Sequence, residues 1–324
     1  MVILGHQFEK TGLGTPLQVI QTFHMPMFFI ISGFFISDKS TLREFSVKRI
    51  KRLLIPYVIS CFIVAILCTL VVLLKEHSAT IAVKELLKRI WISIYGSGSG
   101  HGSMMGPFGT QAEIGMMWYL LALLWSSIVV KAISKNKMAG FIALMISSLA
   151  IGSTIIYGWI PFSIQNGLGA VMWVWLGYCI KKKDMLPEVL KLIYSPWIAL
   201  IIIVWLTSAV YGCIHLYGNY YSLGIVDVTG AIAGCLIVFG ICAFLDKKTI
   251  WIKKVLSWIG MNSLLIYCLH FLEHNVRPVC KELMDAGLTD KLQIAVLSWC
   301  IISIGTCLIA FALVKIPLVK KIYG

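Results

Sequence analysis

The chain has 324 residues, of which 59% are hydrophobic and only 13% charged, with a mean hydropathy of +0.89; a soluble globular domain carries about a quarter charged residues, so that class is excluded. A formal charge of +14 would suggest nucleic acid in a soluble protein. Here most of the 28 Lys and Arg sit in alternate loops between apolar runs, which is how a membrane topology distributes them.

In chain order, the opening "MVILGH" is an apolar stretch running into His6, and it reads as the outer end of a helix. Residues 23–37, "FHMPMFFIISGFFIS", predict a helix running inward to the basic "KRIKRLLIPY", with Pro56 opening the next helix, a favoured place for proline. Further apolar runs at 53–74, 114–130, 138–160, 163–180, 193–217, 221–245, 255–272 and 292–314 approach or exceed the roughly 20 residues that cross a bilayer core. The expected fold is an all-α polytopic integral membrane helical bundle, about nine full transmembrane helices plus the remnant of a first one. It forms a single domain over 1–324, without internal repeats.

The longest non-apolar segment, 75–113, is expected outside as an amphipathic interfacial helix followed by a glycine-rich loop. Basic clusters around Lys39–Arg52, Lys131–Lys137, Lys181–Lys191, Lys247–Lys254 and Lys315–Lys321 place those loops and the C-terminus in the cytoplasm by the positive-inside rule. Most of the ten cysteines lie inside apolar runs and are read as packing residues.

Polar groups inside a membrane bundle are costly, so each is weighed for function. His6, His24, His101, Glu113, Asn166, His215, Asp227, His270, Glu273, His274 and Arg277 all fall toward the outer half under this topology. Imidazoles suit proton transfer, since their unperturbed pKa of about 6.5 lies near physiological pH. Taken singly, His77, His101 and His215 read as interfacial anchors, whereas for His24 and His270 function and structure weigh about equally. An acid–base arrangement is expected rather than a metal site. Lys48, Arg49, Lys51 and Arg52 either set topology against anionic lipid or dock a phosphate-bearing ligand; composition leaves both readings open.

The strings "FHMPMFFIISGFF", "KRIKRLLIPY", "MWYLLALLW" and "IGMNSLLIYCLHF", in that order and spacing, resemble the membrane acyltransferase family often called acyltransferase 3, in the branch related to fucose 4-O-acetylases. The resemblance runs from residue 1 to about 315. It implies a multi-pass bacterial plasma-membrane (inner-membrane) enzyme that moves an acetyl group from acetyl-CoA to a sugar hydroxyl of a cell-surface or lipid-linked glycan. In the family an essential histidine sits in a context like "LVVLGH", which "MVILGH" matches at His6. The family's basic partner, about ten residues earlier, would precede the first residue, so a truncated first helix from a late-assigned start is expected.

The resemblance thus implies His6 as the general base or acyl carrier, and His24, Glu113 and His270 around the acceptor. Arg43, Lys48, Arg49 and Arg52 would hold the phosphates of the coenzyme, and Ser32, Asn262 or Ser263 would donate to the oxyanion. Acetyl-CoA, a glycan acceptor and membrane lipid are the expected partners, with no metal and no nucleic acid. Two competing expectations are a transporter or flippase of a small polar solute, and an inactive membrane module of the same fold.

Overall fold

The computed structural model describes residues 2–98, 113–157, 159–248, 250–276 and 278–323. His101, Arg277 and most of the glycine-rich stretch singled out above lie outside the described residues.

Three short helices come first: α1 (Val2–Thr11), α2 (Gly14–Gln21) and α3 (His24–Gly33). α1 stops where Gly12 takes φ +70°, a left-handed conformation open to glycine. His6 is therefore in the body of α1, not at a helix end as expected, and the helix carries Gln7, Glu9 and Lys10 beyond it.

α4 (Leu42–Glu76) is opened by a capping box in which Glu44 N donates to Thr41 Oγ1 at 3.2 Å and Thr41 N donates to Glu44 Oε2 at 3.0 Å. That cap starts the helix well before Pro56, which lies inside α4 rather than opening it. α5 (Ala79–Tyr95) is helical as expected and packs along α4. Tyr57 Oη donates to Ser93 O at 2.7 Å, and Arg89 Nη1 donates to Asn275 Oδ1 at 2.9 Å.

The chain continues through α6 (Trp118–Ile133), α7 (Ala139–Tyr157), α8 (Ile164–Gly169), α9 (Val171–Lys182), α10 (Leu186–Lys191) and α11 (Ile198–Tyr211). An antiparallel hairpin, β1 (Ile214–His215) and β2 (Tyr220–Tyr221), pairs His215 with Tyr220. Then come α12 (Ile225–Lys248), α13 (Ile250–Met261), α14 (Ser263–Val276), α15 (Val279–Asp285), α16 (Lys291–Leu313) and α17 (Pro317–Tyr323).

The all-α membrane bundle is thus present. Among the described residues four helices are long and apolar enough to cross a membrane, or six if two pairs bent by 93° and 68° each count as one span, against the nine runs read from the sequence. The difference arises because several runs break: the one at 23–37 yields the ten-residue α3, and the one at 163–180 is divided into α8 and α9. Large apolar side chains such as Phe62, Leu149, Ile304 and Leu308 point outward, each more than 60% exposed, an arrangement that lipid rather than water accommodates.

Inside, α3 and α9 cross closely enough that a Cβ on Gly177 would sit 1.8 Å from Ile30 O and one on Gly33 2.2 Å from Val174 O. Small residues at such crossings let backbones touch where no hydrophobic effect drives helices together. α6 sets the height of the bundle. It begins beside α14, where Tyr267 Oη donates to Met116 O, and near its other end Lys131 Nζ donates to Ser37 O; its 16 residues span about 24 Å. The Lys131 side is the basic end of the bundle, and the opposite side is its histidine end.

Candidate active site

α14 has the sequence SLLIYCLHFLEHNV. His270 and His274 are four residues apart on it, and Glu273 three from His270, so one helical face presents all three. His270 Nδ1 lies 3.1 Å from Glu273 Oε2, and Glu273 Oε1 accepts from Val279 N at 3.3 Å, which fixes the carboxylate at the start of α15.

α1 brings His6 against this face. Its ring centroid is 5.7 Å from that of His270 and 5.7 Å from that of His274, and the latter two are 6.3 Å apart. His6 Nδ1 is 3.4 Å from Glu9 Oε2. The remaining nitrogen of His270, Nε2, is buried without a partner, and so is the ammonium of Lys10 one turn beyond His6. Lys10 interacts electrostatically with His270, Glu273 and His274.

Of the residues expected around His6, His270 joins it directly. His24 lies on α3: its Nδ1 is 2.9 Å from Ile20 O, and Ile20 faces Gly5 of α1. Glu113 lines a cavity of about 170 Å³ together with His274, Asn275, Arg89, Ser93 and Cys61. The volume is comparable to the about 150 Å³ that admits a benzene ring. Asn166 and Asp227 serve the frame instead. Asn166 Nδ2 holds the hairpin through Leu216 O and Tyr217 O, and Asp227 accepts from Ser208, Ser222 and the Leu223 amide.

The three oxyanion donors expected from the sequence are elsewhere. Ser32 Oγ donates to Phe28 O and lies 3.4 Å from Tyr119 Oη, Asn262 Nδ2 donates to Trp258 O, and Ser263 is seven residues from His270 at the far end of α14. Ser32 and Asn262 thus satisfy carbonyls one turn back in the chain, which a linear reading cannot distinguish from a free donor.

At the basic end, Arg43, Lys48 and Arg52 are exposed, whereas Arg49 is turned inward. Its guanidinium stacks 5.3 Å from the Phe45 ring centroid, interacts with Tyr119, and keeps Nη2 buried without a partner. Arg49 lies on the α4 face that also buries Phe45 and Leu53, which explains why it alone enters the bundle. Tyr119 in turn packs on Tyr267, with centroids 6.1 Å apart, and Tyr267 is one turn before His270. A line of polar aromatic groups therefore runs from Arg49 to the histidines.

Sequence reading left His274 and Lys10 without a role. The signal for His274 was present: "HFLEH" puts two histidines at i and i+4, the helical spacing for a shared face. Such spacing also serves metal sites, but among the described residues no group of three or more His, Cys, Asp or Glu is placed to hold a metal ion. The Lys10 ammonium moreover adds positive charge beside the imidazoles.

A helical membrane protein that gathers three imidazoles and two carboxylates at one end, with basic residues at the other, is equipped for proton transfer inside a bundle. Residues 1–315 match the acyltransferase 3 family, described as an acyltransferase domain, and the chain belongs to that family as a membrane acyltransferase. No curated protein and no solved structure matches the chain.

Proposed function

We propose that the protein moves an acetyl group from acetyl-CoA to a hydroxyl of a cell-surface or lipid-linked sugar. The observation that carries this reading is the convergence of His6, His270 and His274 on one another, with Glu273 bonded to His270. In this reading His6 takes the proton of the acceptor hydroxyl, general-base help worth about 10²- to 10⁴-fold. Glu9 steadies its ring, and His270 with Glu273 provides the adjoining proton acceptor. Glu113 and Asn275 line the place where the sugar ring sits, beside His274, with His24 behind His6.

The donor set at the basic end suits a coenzyme phosphate. Arg49 has a buried, unpartnered guanidinium nitrogen, and such a group favours an anion that bonds it in the plane of the fork. Arg43, Lys48 and Arg52 add positive charge at the surface around it. Tyr119, Tyr267 and Ser32 then line the course between the phosphates and the histidines. The basic end and the C-terminus face the cytoplasm of a bacterium, and the histidine end faces outward, where a glycan arrives.

The test is a reconstituted one: purified protein in liposomes, radiolabelled acetyl-CoA on the side of the basic end, and a soluble sugar or glycolipid acceptor. Label appearing on the sugar supports the reading. Sugar crossing the membrane unacetylated would make the protein a transporter instead.

A further inference from the structure

The acid–base reading leaves one buried charge unused. The Lys10 ammonium is buried without a hydrogen-bond partner, although its charge acts on His270, Glu273 and His274, and among the described residues no ion pair joins it to either carboxylate of the cluster. An ammonium held out of water without a partner is expensive. Gln7, three residues earlier and so on the same side of α1, is fully buried and leaves both polar atoms of its amide unpartnered as well. His270 adds a third orphan, its Nε2. The two carboxylates of the cluster are matched: Glu273 accepts from Val279 N and faces His270, while Glu9 faces His6. The Lys10 ammonium and the Gln7 amide nitrogen are thus two bare donors on the helix that carries His6, and unpaired donors of this kind are what a preorganised anion site requires.

We infer that Lys10 is the oxyanion donor of the acyl-transfer site, its ammonium receiving the negative charge that develops on the acyl carbonyl oxygen, with the Gln7 amide as a second donor. The inference rests on the acyl-transfer reading above. The acceptor hydroxyl oxygen forms its bond to the thioester carbonyl carbon as its proton passes to the imidazole base. The carbonyl π electrons move onto oxygen, opposite the Lys10 ammonium. Collapse restores the carbonyl and breaks the carbon–sulfur bond, and the thiolate leaves with the proton from the imidazolium. One ester and one thiol result, and Lys10 ends as it began. Its place on α1, one turn from His6, ties charge stabilisation to the base on a single rigid element.

The experiment compares wild type, Lys10→Met, Lys10→Arg, Lys10→Ala and His270→Ala in liposomes with acetyl-CoA and a sugar acceptor. Lys10→Met is expected to lower kcat by about 10²- to 10³-fold, the usual cost of one oxyanion donor, with the KM of both substrates within about threefold. Lys10→Arg is expected to keep an intermediate rate. Added propylamine is expected to restore Lys10→Ala in proportion to its concentration, which a purely structural lysine would not allow. Lys10→Met retaining wild-type kcat while His270→Ala is inactive overturns the inference and leaves the acyl-transfer reading standing. Loss of activity in both Lys10→Met and Lys10→Ala without rescue by the amine likewise overturns it, in favour of a packing role. A wild-type protein that transfers no acyl group overturns both.

Discussion

His270 and Glu273 form an imidazole–carboxylate pair, Nδ1 to Oε2 at 3.1 Å, in which the histidine is almost wholly buried and its other nitrogen has no partner. An ionised carboxylate only accepts, so Nδ1 carries the proton and Nε2 offers its lone pair toward the cluster. Glu273 itself is held by the Val279 amide. Glu9 faces His6 Nδ1 in the same way at a longer 3.4 Å.

Replacing Glu273 with Gln keeps the shape but removes the charge that fixes this tautomer. Glu273→Gln is expected to reduce kcat by about 10²-fold or more with little change in either KM, measured by initial rates of acetyl transfer in liposomes. A rate within twofold of wild type would mean that His270 needs no carboxylate.

Arg49 and its neighbours separate by direction rather than by charge. Arg49→Gln is expected to raise the KM for acetyl-CoA at least tenfold, whereas Lys48→Gln and Arg43→Gln change it less than threefold, since an inward guanidinium with a bare nitrogen makes a charge-assisted bond worth roughly 1.5–3 kcal/mol. Equal effects at all three would favour a diffuse surface field.

How far this centre was legible in the sequence can be argued residue by residue. The apolar runs announced a helical membrane bundle because a bilayer leaves few alternatives for an unbroken chain of nonpolar residues. His6 and His270 were legible through their motifs. The Thr41–Glu44 capping box is written in the sequence too, and it outweighs Pro56 as the helix start. Lys10 was hidden for a different reason: a lysine four residues past a histidine looks like an interface anchor, and only the packing of α1 against α14 to α16 shows that its ammonium ends inside. The breaks between α8 and α9 and after α3 fall inside apolar runs, where hydropathy does not register them.

Those contacts carry stability. Gly177→Ala would bring a Cβ to 1.8 Å from Ile30 O, and overpacking of this kind costs about 1–3 kcal/mol or more. The variant is expected to unfold at clearly lower temperature in detergent and to lose transfer activity, because α3 carries His24. An unchanged melting temperature would show that the α3–α9 crossing can relax freely.

At the basic end, Asp38 Oδ1 accepts from Tyr178 Oη at 2.6 Å and Asp38 Oδ2 lies 3.4 Å from Lys182 Nζ. The Tyr178 bond, opposed by burial and aided by Lys182, holds the Asp38 carboxyl below its ordinary range. A depressed carboxyl stabilises the fold above its unfolded pKa of about 3.9, and that stabilisation is lost as pH falls through the lower folded value. Asp38→Asn is expected to cost at most about 1 kcal/mol at pH 7, since the pair is half exposed, and the difference from wild type should close below pH 4. A difference that persists unchanged into strong acid would rule out the carboxylate as its source.

Metal chelation provides a check on the reading of the three imidazoles as acid–base groups. Prolonged dialysis against a strong chelator is expected to leave acetyl transfer unchanged, measured after return to the assay buffer. Loss of activity that zinc restores would make His6, His270 and His274 ligands.

The most direct measurement is acetyl transfer by His6→Ala beside wild type, at equal protein in liposomes, with acetyl-CoA binding followed in parallel. The expected result is a loss of transfer of at least about 10²-fold with coenzyme binding retained, because His6 acts on the acceptor hydroxyl at the end of the bundle opposite Arg49. Undiminished transfer by His6→Ala would contradict the assignment of this cluster as the reacting centre.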